Sequence, residues 1–318
     1  MVENGTATFA SPDEYCAAIK AAKVDLFVTA GGEFKGRLTR FKLGRLHVLR
    51  GQENLPRISF VALPPTQVHI SFPLSGRPGL IYCGLGLNRG DLIFHSLGER
   101  AHQRTAGDGD WCVISLPREE LAACSKTLIG KSIRAPSESF AIVPARGPAR
   151  LLLSQLSRAC HLAETREELI ASPRVTRSLE QDLLSALVNC LSTESAERLL
   201  KWKGRHADIM ARFEEALAVR SEGHLNLSGL CATIGVPERT LRLCCAEFLG
   251  MSPGRYHLLR RLNKARSALR RANPNTASVS EIARDHQFTE LGRFAVAYRA
   301  VFGETPSSTL RRVSNGTE

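Results

Sequence analysis

The sequence predicts an α+β protein: an N-terminal β-barrel or sandwich, a helical segment, and a C-terminal all-α domain with two helix-turn-helix units. Three observations carry this. Between residues 24 and 116, short runs rich in Val, Ile, Leu and Phe recur between Gly, Pro and Asn turns, the texture of many short strands. Between 149 and 191 the apolar residues change to helical spacing. From Leu225 to Pro306 one short unit is written twice, about 53 residues apart.

In chain order, Ser11-Pro12-Asp13-Glu14 opens a short helix through Tyr15, Ile19 and Ala22, with serine as cap, proline in the first turn and acids at the positive end of the dipole. Strands are expected at 25–29, 34–41, 45–50, 57–62, 67–72, 79–85, 91–95 and 111–116. Helices return near 121–129, and 133–143 reads as a loop or a strand. Two amphipathic helices follow, one carrying Leu152, Leu156 and Ala159 on one stripe, the other Leu179, Leu183, Leu187 and Cys190. Such stripes suit pairing of two chains, or packing on the chain's own β-domain. The polar stretch 192–205 reads as a linker, and Asp208 caps a helix with Met210, Phe213 and Leu217 on its inner face. The expected domains are 1–145, 146–200 (helical dimerisation segment and linker) and 206–313.

Each copy of the repeated unit opens a helix at a serine, Ser228 or Ser280. A turn follows at Gly235-Val236 or Gln287-Phe288. The second helix carries Leu241 and Cys245, or Phe294 and Tyr298, four apart and so on one face. Gly250 and Gly303 close the copies as left-handed caps, and Ser252-Pro253 and Thr305-Pro306 start new helices. The helix from Ser252-Pro253 to about Arg271 is apolar on one side and basic on the other. Two such units on one spacer can read one face of a duplex if held about 34 Å apart.

The 318 residues are 43% hydrophobic and 23% charged, ordinary for a globular chain of two domains. The net charge of +12 favours a polyanionic partner such as duplex DNA. No apolar run is long enough for a membrane helix and no leader pattern opens the chain, so a cytoplasmic protein is expected. Nine scattered cysteines without a C-x-x-C argue neither a disulfide framework nor a zinc site. Phosphate-loop, nucleophile-elbow and H-E-x-x-H motifs are missing, so no catalytic residue is assigned.

From Ile209 to Arg312 the sequence resembles the AraC/XylS transcriptional regulators. The likeness rests on Gly235, Arg239-Thr240-Leu241, Leu249-Gly250-Met251-Ser252-Pro253, Tyr256, Arg261-Leu262, Ala265, Leu269, Ile282-Ala283, Phe288, Phe294, Tyr298, Phe302-Gly303 and Thr305-Pro306. The resemblance implies a DNA-binding regulator with a cupin-like effector-sensing barrel, a homodimer, and RNA polymerase as a protein partner. Its base-contacting positions fall on Arg239, Arg242 and Leu243 in the first copy, and on Leu291, Gly292 and Val296 in the second. Departures from the family stand at Leu243, Cys245, Gln287 and Leu291. By exposure, Glu238, Arg239, Thr240, Arg242 and Arg293 are the expected DNA-binding residues.

For the effector, two R-x-x-x-R pairs, Arg100 with Arg104 and Arg146 with Arg150, sit in loop-like contexts of a basic domain. Paired guanidinium groups grip phosphate or carboxylate, so an anion such as a cyclic dinucleotide is the expected ligand. The spacing resembles the arginine motif of PilZ domains, without the segment expected downstream. No resident cofactor is expected. The rival reading is a metal-dependent cupin enzyme fused to a DNA-binding module, which needs His47, His69, His95, His102 and Glu99 to converge; no metal ligand is assigned, because the close His pair of such sites is missing. A third reading makes the β-domain a dimerisation platform alone.

Overall fold

A computed structural model describes residues 4–76, 79–192, 197–199, 204–219 and 226–312. The chain begins with β1 (Gly5–Phe9), α1 (Pro12–Ala18), β2 (Lys23–Val28), β3 (Gly36–Leu43), β4 (Leu46–Glu53), β5 (Arg57–Ala62) and β6 (Gln67–Pro73). It continues through β7 (Leu80–Tyr82), β8 (Leu85–Leu87), β9 (Leu92–Phe94), β10 (Arg100–Thr105), β11 (Gly109–Pro117), α2 (Arg118–Ile129) and β12 (Phe140–Val143). Then come α3 (Arg146–Thr165), α4 (Glu167–Ile170), α5 (Pro173–Ser192) and β13 (Glu197–Leu199). The last part is helical: α6 (Gly204–Val219), α7 (Leu227–Ile234), α8 (Glu238–Leu249), α9 (Pro253–Arg271), α10 (Val279–Asp285), α11 (Leu291–Phe302) and α12 (Pro306–Arg312).

The strands form two antiparallel sheets, β1-β3-β4-β11-β6-β9-β12-β13 and β2-β5-β10-β7-β8. They face each other but do not close, so the expected barrel or sandwich takes the open form. One reason lies at the β2 edge. The Asn263 side chain on α9 accepts from the Val28 amide at 3.1 Å and donates to the Val28 carbonyl at 3.2 Å, capping the edge where another strand would pair. The expected strand at 79–85 is two strands, because Cys83 and Gly84 both take positive φ and turn the chain between them.

Three expectations are corrected. The stretch Arg100–Thr105, read as a loop, is a central strand of the smaller sheet. Arg146 and Arg150 lie in the first turns of α3, not in a loop. The stripes of α3 and α5 are buried in the chain's own core with Val48, Ile70, Phe72 and Ile114, and Leu183 is wholly buried. A residue already covered within one chain is no seam between two.

Two further cores cross between the halves. Phe27, Ile58 and Tyr82 of the β-domain pack with Ile209, Phe213 and Phe248, while Tyr15, Phe34 and Leu38 pack with Leu262, Leu269 and Phe302. The expected linker is only partly described: β13 pairs with β12, whereas 193–196 and 200–203, and Leu225 further on, lie outside the described residues. Asp208 is not a cap, since α6 begins at Gly204.

Within the helical part, α9 runs as expected from the Ser252 cap, whose hydroxyl accepts from the Arg255 amide. The cap of α7 is Asn226, which accepts from Gly229, and that of α10 is Ser278, whose hydroxyl meets Ser280 at 2.7 Å. The serines at 228 and 280 lie two residues too far in to cap.

Candidate nucleic-acid interface and effector cavity

Two helix pairs, α7–α8 and α10–α11, turn through tight corners, and an arginine from the preceding helix clamps each. Arg212 of α6 donates to the Ile234 carbonyl beside Gly235, where φ is +73°. Arg261 of α9 donates to the His286 and Gln287 carbonyls and stacks 4.1 Å over Phe288. Gln287 holds φ of +63°, a left-handed conformation that a side chain enters at a cost. The clamp offsets this by satisfying the exposed carbonyls of the corner.

The second helix of each pair buries one face and exposes the other. On α8, Leu241, Cys244 and Cys245 are buried, while Glu238, Arg239, Arg242 and Leu243 stand in solvent and Thr240 is half-buried. Burial pushes both cysteine thiols up, which suits packing and not redox sensing. Arg242 leans back on Glu238 at 2.7 Å, and Arg239 has no hydrogen-bond or ion-pair partner among the described residues. On α11, Phe294 and Tyr298 are buried, Arg293 pairs with Glu290, and Val296 is 72% exposed. The expected reading residues thus share the outer faces of α8 and α11.

The helical part is held against the β-domain by a polar node that sequence reading missed. Glu214 of α6, 3% exposed, accepts from His102 Nε2 of β10 at 2.8 Å and the Tyr256 hydroxyl at 2.7 Å, and pairs with Arg260. Burial works against its charge, but these partners outweigh burial and hold the carboxyl below its usual range. Arg100 pairs with Glu215 beside the node. No local pattern advertises a contact across more than a hundred residues.

Between the two sheets lies a cavity of about 60 Å³, lined by Leu26, Val61, Leu80 and Val113 and by the polar Glu53, Arg57, His69 and Gln103. Arg57 pairs with Glu53 at 3.3 Å and donates to Ser59 at 2.7 Å, while the Trp111 indole donates to Glu53 at 2.9 Å. His95 is used by Ser71 at 2.7 Å and by Glu99. His69 is 1% exposed, and neither ring nitrogen has a bonded protein partner. Burial, and then the charge of nearby His95, lowers its pKa to about 4, against a smaller opposing effect of the Pro64 carbonyl. A neutral imidazole therefore sits in the cavity wall. The one sequence signal was Arg57 and Ser59 alternating within an otherwise apolar strand.

The remaining predicted residues do not converge. Arg104 lies against Gly250, where burial lowers its pKa, while Arg146 and Arg150 are exposed on α3; none of the four arginines lines the cavity. His102 is committed to Glu214 and His47 is half-buried on β4. Among the described residues no three His, Cys, Asp or Glu side chains gather as a metal would require.

A two-sheet sensor-like domain fused to a helical domain with paired outward helices defines a class of DNA-binding regulators, and comparison with known proteins gives the family. The AraC-binding-like domain family matches residues 18–188, and the family described as a helix-turn-helix domain matches 230–312. The chain belongs to the AraC family of transcriptional regulators. It is 30% identical over 164 residues to the "Probable thc operon regulatory protein" of Rhodococcus erythropolis, spanning 52% of this chain and 49% of that one, about half its length. It is 28% identical over 280 residues to XylDLEGF operon transcriptional activator 3 of Pseudomonas putida, spanning 84% and 81%. Among solved structures, the AraC-like transcriptional activator CuxR matches 97% of this chain at 15% identity and a TM-score of 0.42.

Proposed function

We propose that this chain regulates transcription by reading an operator with α8 and α11, as the second helices of two helix-turn-helix units, under control of a small effector held between its sheets. The observation that carries it is the outer face of α8, where unpartnered Arg239 stands beside Arg242, Glu238 and exposed Leu243. Arginine bridges guanine in the major groove, and an apolar side chain suits a thymine methyl. The α11 face, with Gly292, Val296 and Arg293, offers fewer base-reading groups and chiefly holds phosphate. Relatives named as operon regulators agree with this reading, which implies RNA polymerase as a partner.

The division into a sensing part, a helical segment and a DNA-binding part belongs to the same proposal. Pairing of two copies through the helical segment would use its outward faces, since the stripes are internal. None of the four arginines lines the inter-sheet cavity, so a cyclic dinucleotide gripped by them would have to bind elsewhere. The inter-sheet cavity, with its neutral His69 and internally matched Arg57–Glu53 pair, suits a small uncharged ligand. Selection of binding sites from random duplexes tests the DNA reading. Arg239→Ala should relax preference at one or two positions, by about 1 to 3 kcal/mol at each. Uniform weakening across all sequences would place Arg239 on phosphate.

A further inference from the structure

A serine, a histidine and a carboxylate stand in line at the wall of the inter-sheet cavity. The Ser71 hydroxyl of β6 lies 2.7 Å from His95 Nε2, and the other ring nitrogen, Nδ1, meets Glu99. The chain geometry sets this line. Ser71 stands opposite Ile93 where β6 pairs with β9, and the His95 amide donates to the His69 carbonyl at 3.1 Å, carrying that pairing past the end of β9. A turn through Gly98, at φ of +73°, then returns Glu99 to the histidine four residues before it.

The proton positions follow from the chemistry of the three groups. Burial opposes the charge of Glu99, but the charge of His95 and hydrogen bonds from His95, Tyr82 and Ser139 outweigh it and hold the carboxyl below its usual range. A carboxylate accepts and cannot donate, so Nδ1 carries its proton toward Glu99. Nε2 is left as an acceptor, and the Ser71 hydroxyl donates to it. The Tyr82 hydroxyl, 3.2 Å from Nδ1, bonds the same carboxylate. Groups in this order and at this reach activate a hydroxyl for attack on a carbonyl carbon.

The hydroxyl also faces open space. Ser71 and His95 both line the cavity, whose 60 Å³ is about the volume of two water molecules, the size of a short acyl group. His69, two residues before Ser71 and so on the same face of β6, lines it too. Its neutral ring carries one N–H, and neither nitrogen has a bonded protein partner. That N–H is a donor available to an oxygen that turns negative during attack.

We propose that Ser71 is a nucleophile that takes the acyl group of a short, uncharged carboxylic ester, with His95 as its base, Glu99 positioning His95, and His69 donating to the oxyanion. Ser71 Oγ bonds to the carbonyl carbon while its proton passes to His95 Nε2. The bond from that carbon to the leaving alcohol oxygen then breaks, and the alcohol takes the proton from His95. Water, giving its proton to His95, attacks the acyl-serine; the acyl group leaves as a carboxylic acid and the proton returns to Ser71. The proposal rests on the reading of this cavity as the effector site and adds that the site consumes what it binds.

The full chain treated with methanesulfonyl fluoride, a compact serine reagent, and with vinyl acetate tests this. Intact-mass measurement should show one sulfonyl group added, and peptide mapping should place it on Ser71. Vinyl acetate should be split to acetate and acetaldehyde faster than in buffer. Ser71→Ala should abolish both reactions, His95→Gln should slow them by about a hundredfold or more, and His69→Leu by about tenfold or more. His95 is faced by the titratable groups of Glu99, Tyr82 and His69. Glu99→Gln should slow sulfonylation and move the rising limb of its pH profile to lower pH, because the carboxylate that favours the imidazolium is gone; an unmoved limb would make Glu99 a structural group only. Methyl propyl ketone, which has the outline of the ester without a leaving group, reports the cavity alone by calorimetry. Ketone binding without a Ser71 adduct overturns the acyl transfer and leaves the effector reading standing, whereas absence of both overturns the two together. An adduct elsewhere on the chain, or rates indifferent to Ser71→Ala and His95→Gln, also overturns the proposal.

Discussion

Replacing Glu214 tests whether the two halves form one folded unit. Its buried carboxylate serves three donors, His102 from the β-domain and Tyr256 and Arg260 from α9. Each charge-assisted bond is worth about 1.5 to 3 kcal/mol, but burying the carboxylate cancels much of the sum. Glu214→Ala removes the acceptor and strands buried donors, so the expected loss is about 3 to 5 kcal/mol. Urea unfolding followed by fluorescence and by circular dichroism should show one transition, since two apolar cores span both halves. The specific link to β10 is read by a double-mutant cycle of Glu214→Gln with His102→Phe. A coupling of about 1 to 2 kcal/mol is expected, and additivity within about 0.5 kcal/mol would refute a direct bond across the seam. The carboxyl's pKa lies below its unfolded value. Its contribution is therefore present at neutral pH and lost as pH falls through the folded value, and Glu214→Gln should remove that acid limb.

Three other outcomes follow from single residues. His69 takes its proton only near pH 4 when folded, whereas an unfolded histidine takes it near about 6.5; the unfolded chain is favoured across that window, by up to about 3 kcal/mol. Urea melts from pH 7 to 4 should lose about one proton of slope in His69→Leu, and an unaltered slope would refute the assignment. A Cβ added at Gly31 would stand 2.5 Å from the Phe302 carbonyl, a backbone contact that cannot swing aside. Gly31→Val should cost about 2 kcal/mol or more in urea unfolding, and wild-type stability would show that this approach is not kept in solution. Gln287→Gly relieves the left-handed corner against a larger entropy loss, for a net gain of about 0.5 to 1 kcal/mol read as a higher melting temperature; a fall would show that the glutamine side chain itself supports the turn.

Much of the C-terminal half was legible because its signals are local. Helical spacing placed Leu241 with Cys245 and Phe294 with Tyr298 on buried faces, and Gly250, Ser252 and Pro253 mark a helix end and a helix start within four residues. The opposite, outer faces follow from the same period, so Arg239, Arg242 and Arg293 could be placed before any fold was known. Strand spans came through equally well where one strand face is apolar, as in Arg57–Ala62. The helix stripes of α3 and α5 were visible too, but not what they cover, since a stripe looks the same whether it packs on its own sheet or on a second chain.

What depended on the tertiary structure is what joins distant residues. β10 reads as a loop because Arg100, His102 and Arg104 are polar, and it is a strand because its backbone pairs with β5 and β7, while Glu214 and Glu215, brought from α6, receive two of its polar side chains. The arginine pairs looked alike in spacing, yet a strand places residues four apart on one face of a sheet and a helix sets them one turn apart on its outside, so equal spacing does not make equal sites. The neutral His69 and the node at Glu214 likewise exist only once sheet meets sheet and domain meets domain. Desolvation and charge pairing are set by what surrounds a side chain, and in this protein those surroundings come from the other end of the chain.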